Sequence, residues 1–405
     1  MPNILPRLRM DLDFMRSPVP DRPGLLIRDP HGFSEATLII PAPLVPLLQF
    51  FDGHSSDLDL RQALVQLTGE LQVGEIERHL IETLSEAGFL VNEIYERLRD
   101  QRFQEFAASP TRLAAHAGGA YPETAEEMKA VFDEYMKGAG PPVSDGLCGI
   151  AAPHVSPEGG WESYRDAYSA LHPELAGRTF IILGTSHYGA PDRFGMTRKD
   201  YVTPLGRART NTDLAERLAS RAPGAVLMED YCHATEHSIE FQVAFLQHIY
   251  GPEVRILPIL VGSFHPSIAA GTAPENNDEV RRFFGELAEI NARHKEEIFW
   301  VLGVDMAHIG ARYGDRQPAL AHEGQMLAVT ARDKDRIAAI GQGDSAAYWD
   351  LVKEGGDDEL KWCGSAPFYT FLKAVPEARG EMLRYQHWQI DPQSVVSFAA
   401  MAFRG

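Results

Sequence analysis

Residues 179–187 read TFIILGTSH, and the fold is decided there. Phe180, Ile181, Ile182 and Leu183 form an apolar run with no polar alternation, the pattern of a strand buried on both faces. The run ends on Gly184 and passes at once into Thr185-Ser186-His187. Three other stretches share this grammar: LCGIAA at 147–152, VRILPILVG at 254–262 and EIFWVLGV at 297–304. Amphipathic segments separate them. In SIEFQVAFLQHIY, at 238–250, Ile239, Val243, Phe245, Leu246 and Ile249 line one face. Buried strands alternating with helices predict an α/β architecture, a central mixed or parallel sheet flanked by helices.

The strand ends carry the chemistry. LCGIAA runs into Pro153-His154, TFIILG into His187, and EIFWVLGV into Asp305-Met306-Ala307-His308. Ligands of open α/β sheets bind beyond the carboxyl ends of the strands, so positions 154, 187 and 308 are expected at one rim. A lone histidine is more often structural, but three at equivalent strand ends point to a site. Imidazole serves as metal ligand or as proton carrier, and the spacing leaves both uses open. Glu236-His237-Ser238 opens a helix and reads equally as a ligand-orienting group or as a polar cap. Cys232-His233 lacks the second cysteine pair of a common zinc site. Cys363, in KWCGSAP at 361–367, reads on its own as a small buried hydrophobe; a thiolate there would suit a metal or a nucleophile.

The first hundred residues follow another pattern. Positions 25–27 and 37–40 read as short strands. Residues 57–68 read as a helix capped by Ser55, Ser56 or Asp57 and stopped by Gly69. In 73–87, Val73, Ile76, Leu80, Leu84 and Ala87 recur at helical spacing before Gly88, and FLV at 89–91 reads as a strand. These elements predict a small α+β winged-helix-like domain at 1–107, with the α/β domain at 108–405. Such a module often binds DNA, but residues 61–100 hold four Arg, no Lys and eight Asp or Glu, which repel phosphate. Peptide or protein binding and a purely structural extension remain as equal readings. Near the start of the second domain, 123–136 reads as a Glu-rich helix and Lys137-Gly138-Ala139-Gly140-Pro141-Pro142 as a loop.

Composition narrows the class. The 405 residues carry 38 Lys+Arg against 57 Asp+Glu, a formal charge of −19, which argues against nucleic acid and anionic membrane as partners. Three cysteines do not make a disulfide framework. The opening MPNILPRLRMDLDFMRS lacks the apolar core of a signal peptide, and the longest uncharged run, 256–274, is broken by Pro258, Gly262 and Pro266. A cytoplasmic protein is expected.

Several motifs together resemble the Memo family: Ala115-His116-Ala117-Gly118, Ala152-Pro153-His154, Gly184-Thr185-Ser186-His187, Tyr201-Val202-Thr203-Pro204-Leu205-Gly206, Glu236-His237-Ser238-Ile239-Glu240, Asp305-Met306-Ala307-His308, Cys363-Gly364 and the terminal Ser394-Val395-Val396-Ser397-Phe398-Ala399-Ala400. They stand in the family's order across roughly 111–405. That family, whose bacterial members are called AmmeMemoRadiSam system protein B, is similar in fold to the class III, LigB-like extradiol dioxygenases. The first hundred residues resemble a PqqD-like winged-helix module, a class associated with peptide recognition.

The resemblance implies a mononuclear metal on His154, His187 and Cys363, with Fe(II) first and copper or zinc as alternatives. It implies acid–base or pocket roles for His308, Asp305, His237 and Glu236, and a pocket-side place for His116. Ring-cleaving relatives use two histidines and a carboxylate; Cys363 in the third place favours iron, copper or zinc over magnesium or calcium. The chain departs from the family where Val155-Ser156-Pro157 follows His154, where His187 is followed by Tyr188, and where Gly303-Val304 precedes Asp305. The expected function is dioxygenase-like oxidation of an aromatic or peptide-borne small-molecule substrate, with His308 moving protons and held by Asp305. The alternatives are a non-catalytic metal- or peptide-binding protein, whose partner engages residues 1–107, and a zinc hydrolase.

Overall fold

The computed structural model describes residues 2–141 and 146–405, so Pro142, the last residue of the expected loop, lies outside the described residues. The chain forms two compact units, Met1–Ala108 and Ser109–Gly405.

In the first unit, strands Asp13–Arg16, Gly24–Arg28 and Thr37–Pro41 make an antiparallel sheet in that order. Helix Asp57–Thr68 starts on Ser56, whose side chain and that of Asp59 form a reciprocal capping box, and it stops at Gly69 with φ 74°. Helices Gly74–Glu86 and Glu93–Ala108 follow. Leu60, Leu64, Leu80 and Leu84 pack with Ile27 and Ile40 into one core. The Arg9 guanidinium is buried against Asp29 at 2.9 Å and also reaches the Gly88 carbonyl. The strand expected at 89–91 does not form: Leu90 makes a single bridge to Leu8. Phe89 and Leu90 fill the core after the helix, while Val91 is exposed, and no ladder forms.

In the second unit, Leu147–Ala152, Ile298–Gly303, Thr179–Thr185 and Arg255–Val261 lie side by side and parallel. Ser394–Arg404 pairs antiparallel on one edge with Leu147–Ala152 through its end and with His308–Gly310 through its start, and on the other edge with Arg379–Asp391 along its length, so the sheet is mixed. Gly206–Thr210, Asp200–Thr203 and Thr111–Arg112 extend the opposite side.

The central strands alternate between two cores, as a pleat requires. Ile181 and Leu183 face a core completed by helices Asp278–His294 and Ser365–Ala374. Phe180 and Ile182 face a core completed by Pro157–Ser169 and Glu240–Tyr250. Helices on both faces leave the strand ends as the open edge of the layer. No helix of the described residues is long and apolar enough to cross a membrane.

Candidate functional site

The turn 236–238 reaches the strand ends because two glycines make room for it. Gly184 and Gly303 sit opposite each other on adjacent strands. A Cβ on Gly184 would lie 2.5 Å from Ser238 Oγ, and one on Gly303 would lie 2.1 Å from the Ser238 carbonyl oxygen. Ser238 Oγ then donates to the Thr185 carbonyl at 2.8 Å, fixing Glu236 and His237 above the rim.

His154 and His187 project from two of these ends. His154 Nδ1 faces the Gly303 carbonyl at 2.9 Å, and its backbone N–H donates to Asp305 Oδ1 at 2.9 Å. His187 Nδ1 faces Glu236 Oε1 at 2.9 Å, and its backbone N–H donates to Glu236 Oε2 at 2.9 Å. Each ring thus has one nitrogen tied to an acceptor, which leaves Nε2 as the open donor atom. Cys363 arrives from the turn before Ser365–Ala374. Its Sγ lies 3.3 Å from His154 Nε2, while the Gly364 N–H donates to the Asp305 carbonyl and Thr185 Oγ1 to the Cys363 carbonyl.

Donor atoms of His154, His187 and Cys363 all lie within 4.8 Å of one another. Metal bonds of about 2.0–2.3 Å in a tetrahedral set put neighbouring donors roughly 3.3–3.8 Å apart, so two imidazoles and a thiolate here fit a soft cation. A second grouping, His187, Glu236 and His237, also meets the distance condition. It is the weaker candidate. Glu236 is fully buried and its oxygens already face His187 N, His187 Nδ1 and His237 N, so it orients His187 and is less free to meet a cation. Neither grouping contains Cys232 or His233. His233 is buried with Nδ1 at 2.7 Å from the Tyr201 hydroxyl.

The electrostatics follow from this packing. Burial pushes the Cys363 thiol up, but the charges of His154 and His308 and hydrogen bonds from His154 and His187 prevail and hold it at about 5. Burial disfavours the His154 cation, yet Asp305 and then Cys363 raise it to about 9. Burial likewise opposes the charges of His187 and Glu236, and their mutual attraction overrides it, raising His187 and lowering Glu236. His237 goes the other way: burial outweighs Glu236 and lowers it to about 4. His237 Nδ1 sits 3.2 Å from Glu236 Oε1, and its ring stacks on His187 at 5.0 Å. Iodoacetamide alkylation of Cys363 is therefore expected to keep one rate from pH 6.5 to 8.5. Cys148, which burial raises to about 11, should accelerate throughout that range, as read by peptide mapping. A Cys363 rate that climbs in parallel with Cys148 would refute the thiolate.

Asp305 and His308 stand at the same rim, but not in the arrangement expected from sequence. His308 Nδ1 faces the Met306 carbonyl at 2.9 Å. The Asp305 carboxylate turns to His154 and Val155 instead, accepting both backbone N–H groups and lying 3.5 Å from His154 Nε2. Asp305 therefore serves His154 and Val155. His116 backs the pocket: its Nε2 faces the Thr235 carbonyl at 2.8 Å and its ring meets His237 edge-on at 5.5 Å. Beside Cys363 and His187 opens a cavity of about 330 Å³, walled in part by Phe264, Trp349 and Trp362.

The sequence reading missed Arg112. It is wholly buried, pairs with Glu240, and donates to the His233 carbonyl at 2.7 Å and the Glu236 carbonyl at 2.8 Å, so it holds the turn that presents Glu236 and His237. Glu240 also accepts from Ala115 N, His116 N and the Tyr121 hydroxyl. A buried pair marked in sequence by one arginine in a two-residue strand gives no linear signal.

A family model described as Memo-like protein matches residues 112–402. The chain belongs to the Memo family. A MEMO1 family protein of Aquifex aeolicus is 25% identical over 383 residues, covering 93% of this chain and 95% of its own. That match takes in most of the first unit, since Ser109–Gly405 alone is under three quarters of the chain. MEMO1 family proteins of Nitrosopumilus maritimus and Methanopyrus kandleri are 30% and 27% identical, covering 71% and 72% of this chain and 97% and 99% of theirs. An uncharacterized Escherichia coli K12 protein of solved structure covers 64% of this Memo chain at TM-score 0.39 and 14% identity, while all of that protein is matched.

Proposed function

We propose that this Memo-family chain is a metalloprotein whose His154, His187 and Cys363 hold one metal ion, Fe(II) first and copper or zinc next, for dioxygenase-like oxidation of an aromatic or peptide-borne substrate. The observation that carries the reading is the convergence of two imidazole Nε2 atoms and a thiolate whose supporting bonds are already made. A bound redox metal would supply Lewis acidity and a centre for electron transfer.

The protein's own groups supply the rest. His237, kept neutral by burial, holds a lone pair on Nε2 while Nδ1 faces Glu236, and so accepts a hydrogen bond from a substrate hydroxyl. His308, with Nδ1 tied to Met306, offers Nε2 as a proton carrier. The aromatic wall of the cavity suits a flat apolar group. The first unit, with a core of its own, is proposed to recruit a peptide or protein partner.

Metal content of protein purified without oxygen and without added metal tests this reading. Near-stoichiometric iron is expected in the wild type, its loss in Cys363→Ala and His187→Ala, and its retention in His308→Ala. Metal absent from the wild type, or unaffected by the first two changes, would overturn the ligand set.

A further inference from the structure

The loop that carries Cys363 is gripped from one helix. Gln325–Gly341 presents Asp333 and Arg336, three residues apart and so on one face. Asp333 Oδ1 accepts from the Trp362 indole Nε1–H at 2.7 Å. Arg336 lies over the Trp362 ring at 5.2 Å and binds Asp358 at 2.9 Å, and Asp358 accepts from the Trp362 backbone N–H at 3.2 Å. Trp362, the neighbour of Cys363, is thus fixed by its indole nitrogen, its ring face and its backbone.

The other oxygen of Asp333 reaches a different part of the rim. Oδ2 accepts from Ser397 Oγ and from the Tyr385 hydroxyl, both at 2.6 Å. Ser397 Oγ in turn accepts from the Ala307 N–H at 2.9 Å, and the Ser397 backbone bonds to Met306 and Ala307. Ala307 is the neighbour of His308. Asp333 is itself fully buried, and its three hydrogen-bond donors are all neutral. A buried carboxylate whose hydrogen-bond donors carry no charge is costly.

We infer that Asp333 is a positioning residue: its carboxylate ties the Trp362-Cys363 turn to the Ala307-His308 turn and so fixes the thiolate relative to the proton-carrying histidine. The inference rests on the metal-centre reading for its purpose, but not for its test. Two probes are read on the full chain. The first is Co(II) binding, followed through affinity and the thiolate-to-metal absorption band. The second is iodoacetamide alkylation of Cys363 in metal-free protein, with Cys148 and Cys232 as internal references.

Trp362→Phe keeps the ring and deletes the indole donor. Asp333→Asn keeps the volume and removes the charge. Each is expected to weaken Co(II) binding about 10–100-fold, as losses of groups that support metal ligands do, with a diminished band. Each should raise Cys363 alkylation several-fold and leave Cys148 and Cys232 as they were. The double variant should be no worse than the single ones, because both cut the same link. Unchanged Cys363 alkylation in both variants, effects that add in the double, or all three cysteines becoming reactive together would overturn the inference. Wild-type protein that takes up no Co(II) would sink the metal reading instead, and the alkylation rates would still decide the role of Asp333.

Discussion

Glu236→Gln is expected to cost the metal-free chain roughly 10–100-fold in affinity for Fe(II) or Co(II), although Glu236 is not itself a ligand in the proposed centre. Three N–H groups converge on its two oxygens: His187 N, His187 Nδ1 and His237 N. A carboxylate accepts all three. An amide has one oxygen and one NH2 group, so at least one donor then faces another donor, and a buried donor left unmet costs about 1–3 kcal/mol. His187 loses the acceptor that keeps its proton on Nδ1 and its lone pair on Nε2.

The same change shifts a titration. Burial favours neutral His187, and the Glu236 charge is the largest influence that lifts it well above 6.5, with Cys363 adding to it. With that charge gone, burial is opposed by Cys363 alone and the His187 midpoint should fall, visible as the pH midpoint of its ring-proton NMR signal. The stability effect has a definite window. A raised histidine contributes in full below its ordinary value and loses the contribution as pH rises through the folded value. A lowered carboxylate contributes in full above its ordinary 4.5 and loses the contribution as pH falls through the folded value. The gap in thermal midpoint between wild type and Glu236→Gln should therefore be widest between 4.5 and 6.5 and narrow on either side. Equal metal affinity in the two proteins, or a His187 midpoint that does not move, would remove Glu236 from this role.

The legible parts of the site are those that the strand pattern exposes. His154, His187 and Asp305 follow apolar runs, and a run buried on both faces has one open end for ligands. Gly184 and Gly303 were visible as strand-end glycines. Their purpose, to admit Ser238, depends on a register that places them opposite each other, and no single strand carries that information. Cys363 was illegible from its own residues because it comes from a turn before a helix, and only the family resemblance pointed to it. Asp333 and Arg336 were hidden differently. In the run Arg332-Asp333-Lys334-Asp335-Arg336 every residue looks solvated, and only packing shows which two turn inward. The supposed link from Asp305 to His308 failed for a related reason: three residues of separation allowed contact, but the turn sends the carboxylate to His154. In the first unit, the apolar run 89–91 looked like a strand, though Val91 is exposed and Leu90 makes only a single bridge.

Arg112→Met is expected to be the most damaging single change to stability, about 3–5 kcal/mol, because it strips the partner from a buried carboxylate while nearly preserving volume. Glu240 is 0% exposed, so water does not replace the guanidinium. The loss extends further, since the His233 and Glu236 carbonyls also lose their donor. Burial alone would raise Glu240, and Arg112 is the largest influence that brings it below 4.5. In the wild type, that contribution is complete above 4.5 and falls away as pH drops through the lowered folded value. In Arg112→Met, burial is the dominant influence left, the carboxyl rises, and taking up a proton relieves the buried charge. The deficit should thus shrink between pH 7 and pH 5. Glu240→Gln added to Arg112→Met should recover part of it at pH 7, because the double variant buries no charge. Urea titration followed by tryptophan fluorescence measures this cleanly. All five tryptophans, 161, 300, 349, 362 and 388, lie in Ser109–Gly405, so the signal reports the unit that holds the pair and is silent on the other. A deficit under about 1 kcal/mol, the usual worth of an exposed pair, would mean that Arg112 does not hold the Glu236–His237 turn in place.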